Sequence, residues 1–163
     1  MFMKKREIKI EFSEYDKSSE LDKLDAELVE FAKEAVKSSY SPYSKFAVGA
    51  AVRLANGVVI KGSNQENGAY PSGLCAERVA LFAAGSQYPD VAIEAIAITV
   101  NTKSNYHKGP LSPCGACCQV MLESETRSKS DMKIIMHGEN DTCYVADNVR
   151  SVLPFAFDSD FLK

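Results

Sequence analysis

The sequence predicts an α/β domain in which helices pack on a mixed five-stranded sheet. Apolar residues alternate on both sides of an Asn56-Gly57 pair, which is typical of a β-hairpin. Downstream, apolar runs typical of strands alternate with segments of helical spacing. A length of 163 residues favours one domain spanning 1–163, with room for a sizeable core.

The first half of the chain begins with residues 1–17, which we expect to form an N-terminal arm or an edge strand. Apolar residues at helical spacing then predict a helix over residues 19–39. Ser41-Pro42-Tyr43-Ser44 ends it, because proline cannot continue a helix. Residues 46–54 and 58–60 are the predicted hairpin strands, and both turn positions between them favour positive φ.

The second half alternates helices and strands. A helix is predicted over residues 74–84, with Gly85 as its C-terminal stop. A buried strand follows over residues 92–100. Ser112 as N-cap and Pro113 as first helical residue predict a helix that runs to about Ser124. The remaining predicted elements are strands over 132–136 and 142–145 and a helical turn over 149–153.

The composition of the chain argues against several classes of protein function. The net charge is −3 and the basic residues are scattered, which argues against nucleic-acid binding and for a small-molecule substrate. No apolar run approaches the length of a membrane span, and the charged N-terminus lacks the apolar stretch of a secretory signal. Five cysteines in such a chain favour a reducing, cytoplasmic setting and metal-binding or catalytic thiols.

Three of those cysteines and one acid suggest a catalytic metal site. Cys75, Cys114 and Cys117 can fill three positions of a tetrahedral zinc site and leave the fourth for water. Each is predicted near a helix N-terminus, where the helix dipole stabilises thiolates. Glu77 is well placed to carry protons to and from that water, and Arg78 could donate to the sulfur atoms.

Spacing alone leaves alternatives open. Cys118 lies four residues after Cys114 and competes with Cys117 for the third position, because both spacings share a helical face. His107 and His137 are further candidate ligands, although each is isolated. Cys114 and Cys117 at a helix start also fit a thiol redox protein, and a zinc-stabilised fold without catalysis is a further alternative.

The pattern Cys-x-Glu followed by Pro-Cys-x-x-Cys is the signature of zinc-dependent deaminases. Around it, between about Tyr40 and Phe157, the chain closely resembles the cytidine deaminase family of small homotetrameric zinc enzymes. The resemblance is carried by four blocks in order: SPYSKFAVGAAV, GSNQENGAYPSGLCAERVAL, SPCGACCQV and VLPFAF. It implies a three-layer αβα sandwich with helices on both sheet faces. The N-terminal arm lies outside it.

The resemblance also implies roles for individual residues. One Zn²⁺ per chain would be held by Cys75, Cys114 and Cys117, which selects Cys117 over Cys118. Glu77 would be the proton shuttle.

The implied substrate is a small nucleoside in a pocket shared between the subunits of a homotetramer. Asn64 and Glu66 would hold the ribose 3′-hydroxyl, and Phe46 would form an aromatic wall. The remaining implied substrate contacts are the Ala76 backbone, Tyr43, Tyr70 and, from a neighbouring subunit, Phe157.

The implied activity is hydrolytic deamination of cytidine and deoxycytidine in pyrimidine salvage. A blasticidin-S deaminase would share these motifs, but Asn64 and Glu66 favour a ribose. Cys118 stands where many relatives carry arginine, and Gly68-Ala69 replaces a more usual Ala-Ser.

Overall fold

The computed structural model describes residues 3–102 and 108–162. One mixed sheet of six strands organises them, in the order β1-β6-β5-β4-β2-β3. Strands β4 and β5 pair in parallel, and the other neighbours are antiparallel. The strands are β1 Ser13–Tyr15, β2 Phe46–Leu54, β3 Val59–Ser63, β4 Ile93–Thr102, β5 Lys133–His137 and β6 Cys143–Ala146. The helices are α1 Lys23–Val36, α2 Ala76–Gln87 and α3 Gly115–Ser128.

Helices cover both faces of this sheet. Alternate residues of β2 show the division, because Ala50 belongs to one buried cluster and Ala51 to the other. Helices α2 and α3 bury their apolar residues on the Ala50 face, and α1 buries Leu28, Val29 and Ala32 on the Ala51 face. The prediction of a mixed sheet between helical layers is confirmed.

The sheet has a sixth strand where the sequence predicted five. Ser13–Tyr15 pairs antiparallel with β6 and forms one edge of the sheet. The alternating apolar residues Ile8, Ile10 and Phe12, which also fit a short strand within the expected arm of residues 1–17, lie just before it and have no regular secondary structure. Tyr15 packs against the α1-side core, so burial selects the strand over the more regular pattern upstream.

The hairpin between β2 and β3 is confirmed, but its turn differs from the expected geometry. Gly57 has a φ of +83°, whereas Asn56 is not among the described residues with positive φ. Asn56 instead accepts a hydrogen bond from the Val58 N–H through its Oδ1. The side chain therefore stabilises the turn without a left-handed backbone at that position.

Two predicted helix boundaries are wrong. Gly85 lies inside α2, which continues to Gln87, and a Cβ there would come within 3.3 Å of an Arg127 guanidinium nitrogen. Ser112 is not the N-cap of α3, because Cys114 holds that position and Cys114 O accepts the first helical hydrogen bond from Cys118 N. The local signals therefore misplaced the end of α2 by three residues and the start of α3 by two.

A close approach between β3 and α2 fixes where α2 begins. A Cβ on Gly62 would lie 2.5 Å from both Ala76 O and Ala80 N, so only glycine fits at this point. The first turn of α2 is therefore held directly against the end of the central hairpin. None of the described helices is long and apolar enough to cross a membrane.

Candidate metal centre

Two helix N-termini bring three thiols together on the α2–α3 side of the sheet. Cys75 is the N-cap of α2, and Cys114 is the N-cap of α3. Cys117 follows in the first turn of α3 and is fully buried. The Sγ atoms of these three residues all lie within 4.8 Å of one another. They form the one group of at least three His, Cys, Asp or Glu ligands found in residues 3–102 and 108–162.

The donor set fits zinc. Zn–S bonds of about 2.3 Å in a tetrahedron separate the sulfur atoms by roughly 3.8 Å. Cys114 Sγ and Cys117 Sγ are 3.4 Å apart, and the whole cluster lies within 4.8 Å. Three protein ligands are the number that catalytic zinc sites use, because the fourth position is kept for water or substrate. The cluster can therefore hold one ion.

Neighbouring groups favour the thiolate form of Cys75. The pKa of Cys75 is lowered to about 5, first by a hydrogen bond with Cys117 and then by Arg78. Arg78 Nη2 lies 3.5 Å from Cys75 Sγ, and this contact raises the pKa of the guanidinium. The pKa of Cys117 is raised by its hydrogen bond to Cys75. Within this pair, the negative charge is therefore favoured on Cys75.

Glu77 lies directly beside the thiols in the first turn of α2. Its side chain is only 5% exposed. Burial raises the pKa of its carboxyl above the ordinary value, and the charge of Cys75 acts in the same direction. A carboxyl with a raised pKa takes up and releases protons more readily near neutral pH. The position suits a proton carrier.

The structure separates the competing ligand candidates. Cys118 is buried and its Sγ lies 3.7 Å from Pro113 O, outside the thiol cluster. His137 is buried on the opposite side of the sheet, 2.7 Å from Thr99 Oγ1 and 3.1 Å from Asp141 Oδ1. His107 lies outside the described residues.

A cavity of about 570 Å³ opens beside Cys75. This is within the range of small-molecule sites. Several residues named from the sequence share its wall. They are Tyr43, Asn64, Glu66, Tyr70, Cys75 and Arg78. The Tyr43 and Tyr70 rings meet edge to face, with their centroids 6.1 Å apart.

Glu66 is held in place by the turn that ends at Ser44. Its Oε2 accepts hydrogen bonds from Tyr43 N at 2.9 Å and Ser44 N at 3.3 Å. The Ser44 hydroxyl donates to its Oε1. These bonds lower the pKa of Glu66, the Ser44 hydroxyl contributing most. Glu66 is therefore a fixed carboxylate at the cavity wall.

Asn64 is also fixed, by a different set of contacts. Its Oδ1 accepts hydrogen bonds from Ser39 Oγ at 2.5 Å and Val48 N at 2.8 Å, and its Nδ2 donates to Phe46 O at 2.9 Å. One amide hydrogen remains for a ligand. Asn64 thus stabilises the start of β2 and also lines the cavity.

Three of the expected substrate contacts do not line this cavity in the described chain, and neither do Glu77, Cys114 and Cys117. Phe46 is partly buried and packs on the α2–α3 core. Ala76 is fully buried in the first turn of α2. Phe157 is 56% exposed, stacks on Phe161 at 5.6 Å and accepts a hydrogen bond at its carbonyl from Gln119.

Sequence reasoning missed two serines that organise the cavity. Ser44 fixes Glu66 and Ser39 fixes Asn64. Both contacts join residues more than twenty positions apart, so no local pattern identifies them. The Ser-rich turn before β2 predicted the end of a helix and belongs to a block shared with the family, but neither feature indicates a role for Ser44 or Ser39.

Comparison with known proteins identifies the family. A family model described as the cytidine and deoxycytidylate deaminase zinc-binding region matches residues 22–141. The chain belongs to this family. A cytidine deaminase of Sporosarcina psychrophila is 38% identical over 136 residues, which cover 83% of this chain and 93% of that protein. A cytidine deaminase of Halalkalibacterium halodurans is 46% identical over 96 residues, covering 59% and 68%.

Solved structures of this deaminase family share the fold. A crystal structure of cytidine deaminase from Burkholderia pseudomallei superimposes with a TM-score of 0.70 and 38% identity, covering 80% of this chain and 97% of that one. The chain is therefore a hydrolytic deaminase by family. Zinc is its cofactor, because the matched region is a zinc-binding one and the three thiols form a fitting site.

Proposed function

We propose that this protein catalyses the zinc-dependent hydrolytic deamination of cytidine and deoxycytidine to uridine and deoxyuridine. The observation that carries the proposal is the placement of Glu77, which is buried beside the thiols of Cys75 and Cys117. Cys75 also lines the cavity of about 570 Å³. A metal site, a proton carrier and an adjoining small-molecule cavity are the parts that a hydrolytic deaminase needs.

In this proposal Cys75, Cys114 and Cys117 hold the zinc ion. When bound, zinc supplies a Lewis acid that makes water a nucleophile near neutral pH. Three thiolates give the site an excess of negative charge. Arg78, at 3.5 Å from Cys75 Sγ, offsets part of that charge and orients the ligand.

Glu77 moves both protons of the attacking water. Its carboxylate first takes one proton from the water and gives it to N3 of the base, while the water oxygen bonds to C4. It then takes the proton of the new hydroxyl and gives it to the amino group at C4. The C4–N bond breaks, ammonia leaves and a carbonyl remains. One carboxylate therefore serves as base and then as acid.

The cavity wall supports recognition of a nucleoside rather than a free base. Glu66 presents a fixed carboxylate, and Asn64 keeps one amide hydrogen for a ligand. We assign both to the ribose 3′-hydroxyl, because a buried hydroxyl needs a donor and an acceptor. We assign Phe46, Tyr43 and Tyr70 to the walls of the nucleoside site.

We further propose that the Ala76 backbone contacts the base of the substrate. We also propose that the protein is a homotetramer whose active sites are shared between subunits. Phe157 is the residue that would reach a neighbouring subunit and stack on the base. Its ring is more than half exposed and belongs to a tail with exposed Phe155 and Phe161. Such aromatic exposure near a chain end supports a role in subunit contact.

We also propose a place in cytoplasmic pyrimidine salvage, where cytidine and deoxycytidine are the substrates. All five cysteines are free in the structure. Free thiols support a reducing compartment, because disulfides persist in oxidising ones.

An ultraviolet assay tests the proposal directly. Purified protein is mixed with cytidine, and conversion to uridine is followed with and without a strong zinc chelator. We expect conversion that the chelator abolishes and that added zinc restores. Deoxycytidine and blasticidin S are run in parallel. Conversion of blasticidin S with none of cytidine would overturn the substrate assignment, and no conversion of any of them would overturn the function.

A further inference from the structure

The residues before β1 form an exposed apolar and charged segment that the catalytic proposal does not use. We call residues 3–12 the leading segment; all of them are exposed and none has regular secondary structure. Ile8, Ile10 and Phe12 are 50%, 47% and 53% exposed. The segment also lies outside residues 22–141, the part matched by the family model. Exposed apolar side chains that form a stripe indicate a surface that binds a partner.

The leading segment runs directly into an open sheet edge. Phe12 precedes β1, which is the first strand in the sheet order. Among residues 3–102 and 108–162, no strand neighbours the outer side of β1. The Phe12 ring centroid lies 4.9 Å from that of Tyr144 in β6, on the neighbouring strand. The Phe12 end of the leading segment therefore packs against the sheet directly before the chain enters the edge strand. Open edges are templates for pairing with another chain.

The sequence of the segment is complementary to itself in one antiparallel register, centred on Ile10. There Ile10 faces Ile10 of a second copy, and Ile8 faces Phe12. On the other side of the ribbon, Lys9 faces Glu11. Arg6 faces Glu14. Apolar pairs and opposite charges across strands both stabilise such a ladder.

Neighbouring registers are less favourable. Centring on Lys9 puts two lysines opposite each other and Glu7 opposite Glu11. Centring on Glu11 puts two glutamates together. Centring on Ile8 pairs opposite charges but places Arg6 opposite Ile10. Like charges directly opposite each other destabilise the Lys9 and Glu11 registers, and the charged-apolar pair of Arg6 and Ile10 disfavours the Ile8 register. The Ile10 register avoids both.

We propose that the leading segments of two copies of this chain pair as an antiparallel β-ribbon centred on Ile10. The pairing joins the β1 edges of two six-stranded sheets, which gives the ribbon more support than an isolated hairpin has. Lys9 and Glu11, whose side chains lie 2.6 Å apart within one chain, then form a group of four alternating charges. The proposal does not depend on the catalytic function.

Cross-linking through a single introduced cysteine tests the register. Opposed Cα atoms in an antiparallel pair are about 4.5–5.5 Å apart, which a disulfide can span. The full-length Ile10→Cys protein is incubated with oxidised glutathione and run on a denaturing, non-reducing gel. Ile8→Cys is the matched control, because in this register its two copies are offset by four residues, roughly 13 Å. The unsubstituted protein measures background from the native thiols.

We expect Ile10→Cys to form covalent dimer at least about tenfold faster than Ile8→Cys, because pairing raises the effective thiol concentration. Equal rates would overturn the proposal, since mere proximity of two chain starts would cross-link both. The proposal would also be overturned if Ile10→Cys formed no more covalent dimer than the unsubstituted protein. The leading segment would then pack on its own chain or bind a different partner.

A charge swap tests the same pairing independently. In the Ile10→Cys background, Lys9→Glu or Glu11→Lys alone should slow cross-linking several-fold at low ionic strength, because like charges then face each other. The double variant Lys9→Glu/Glu11→Lys should restore the rate. Failure of the double variant to recover, with normal folding by circular dichroism, would contradict the register.

Discussion

Two buried glutamates on the same side of the sheet illustrate how position, rather than burial, gives a residue its role. Glu77 in α2 is 5% exposed and Glu125 in α3 is 9% exposed. Burial raises the pKa of both carboxyls. A search for buried acids with raised pKa values would select both.

The groups that surround Glu77 and Glu125 differ. Glu125 Oε1 accepts hydrogen bonds from Met132 N at 2.8 Å and Val149 N at 3.0 Å, so it ties α3 to two segments of the chain. Glu77 has the thiols of Cys75 and Cys117 as its neighbours. Glu125 is therefore a structural acceptor, whereas Glu77 lies beside thiols that can hold a metal ion.

The largest expected effect is the loss of zinc from the site beside Glu77. Cys117→Ala should lose most bound zinc and nearly all turnover, because it removes a ligand from the cluster. Cys118→Ala is the matched control, since that thiol is equally buried and lies outside the cluster. Zinc is measured by mass spectrometry of the purified proteins. Zinc retained in Cys117→Ala and lost in Cys118→Ala would reverse the assignment.

The next effect concerns the structural glutamate. Glu125→Ala leaves the N–H groups of Met132 and Val149 without their acceptor, which should lower the free energy of unfolding by about 2–4 kcal/mol. Turnover per folded molecule should be unchanged. Glu27→Ala, at an exposed position of α1, should change stability by less than about 0.5 kcal/mol. Urea unfolding measures both, and equal effects would refute the structural role.

A smaller effect is expected at the cavity wall. Ser44→Ala removes the hydroxyl that holds Glu66, a change of about 1 kcal/mol or roughly fivefold in KM for cytidine. Because the contact is far from the reacting atoms, kcat should stay the same. Ser86→Ala, whose hydroxyl bonds to Ala83 O within α2, is the control. A fall in kcat with unchanged KM would show that Glu66 does not act through substrate binding.

The smallest effect is a pH dependence of stability from Glu125. Its folded-state pKa is raised above the ordinary 4.5, so the folded protein binds the proton more tightly. This contribution to stability is complete below pH 4.5 and is lost as pH rises through the folded-state pKa. Glu125→Gln keeps an acceptor oxygen and removes the titration. The stability of the unsubstituted protein relative to Glu125→Gln should therefore fall as pH rises; the opposite slope would contradict the raised pKa.

Features set by local sequence were predictable. The hairpin, the strand of residues 92–100 and the thiols at helix starts follow from periodicity and capping over a few residues. The third thiol was not decided by spacing, because Cys117 and Cys118 share a helical face with Cys114. In the structure Cys114 is the N-cap of α3, and the Cys118 N–H donates to the Cys114 carbonyl. Cys117, and not Cys118, belongs to the thiol cluster.

Features set by long-range contact were not predictable. Gly85 carries a stop signal, yet α2 continues through it beside Arg127 of α3. Ser44 and Ser39 reach Glu66 and Asn64 only because the chain folds back by more than twenty residues. The edge strand at Ser13–Tyr15 depends on β6, which lies over a hundred residues later. No window of local sequence contains these partners.

The central claim is that Glu77 moves protons for a reaction at the thiol site. The most direct measurement is zinc content and cytidine turnover on the same sample of Glu77→Gln, with Glu125→Gln treated identically. We expect that Glu77→Gln keeps its zinc and loses turnover by at least about 10²–10⁴-fold, whereas Glu125→Gln keeps both. Near-normal turnover in zinc-loaded Glu77→Gln would contradict it.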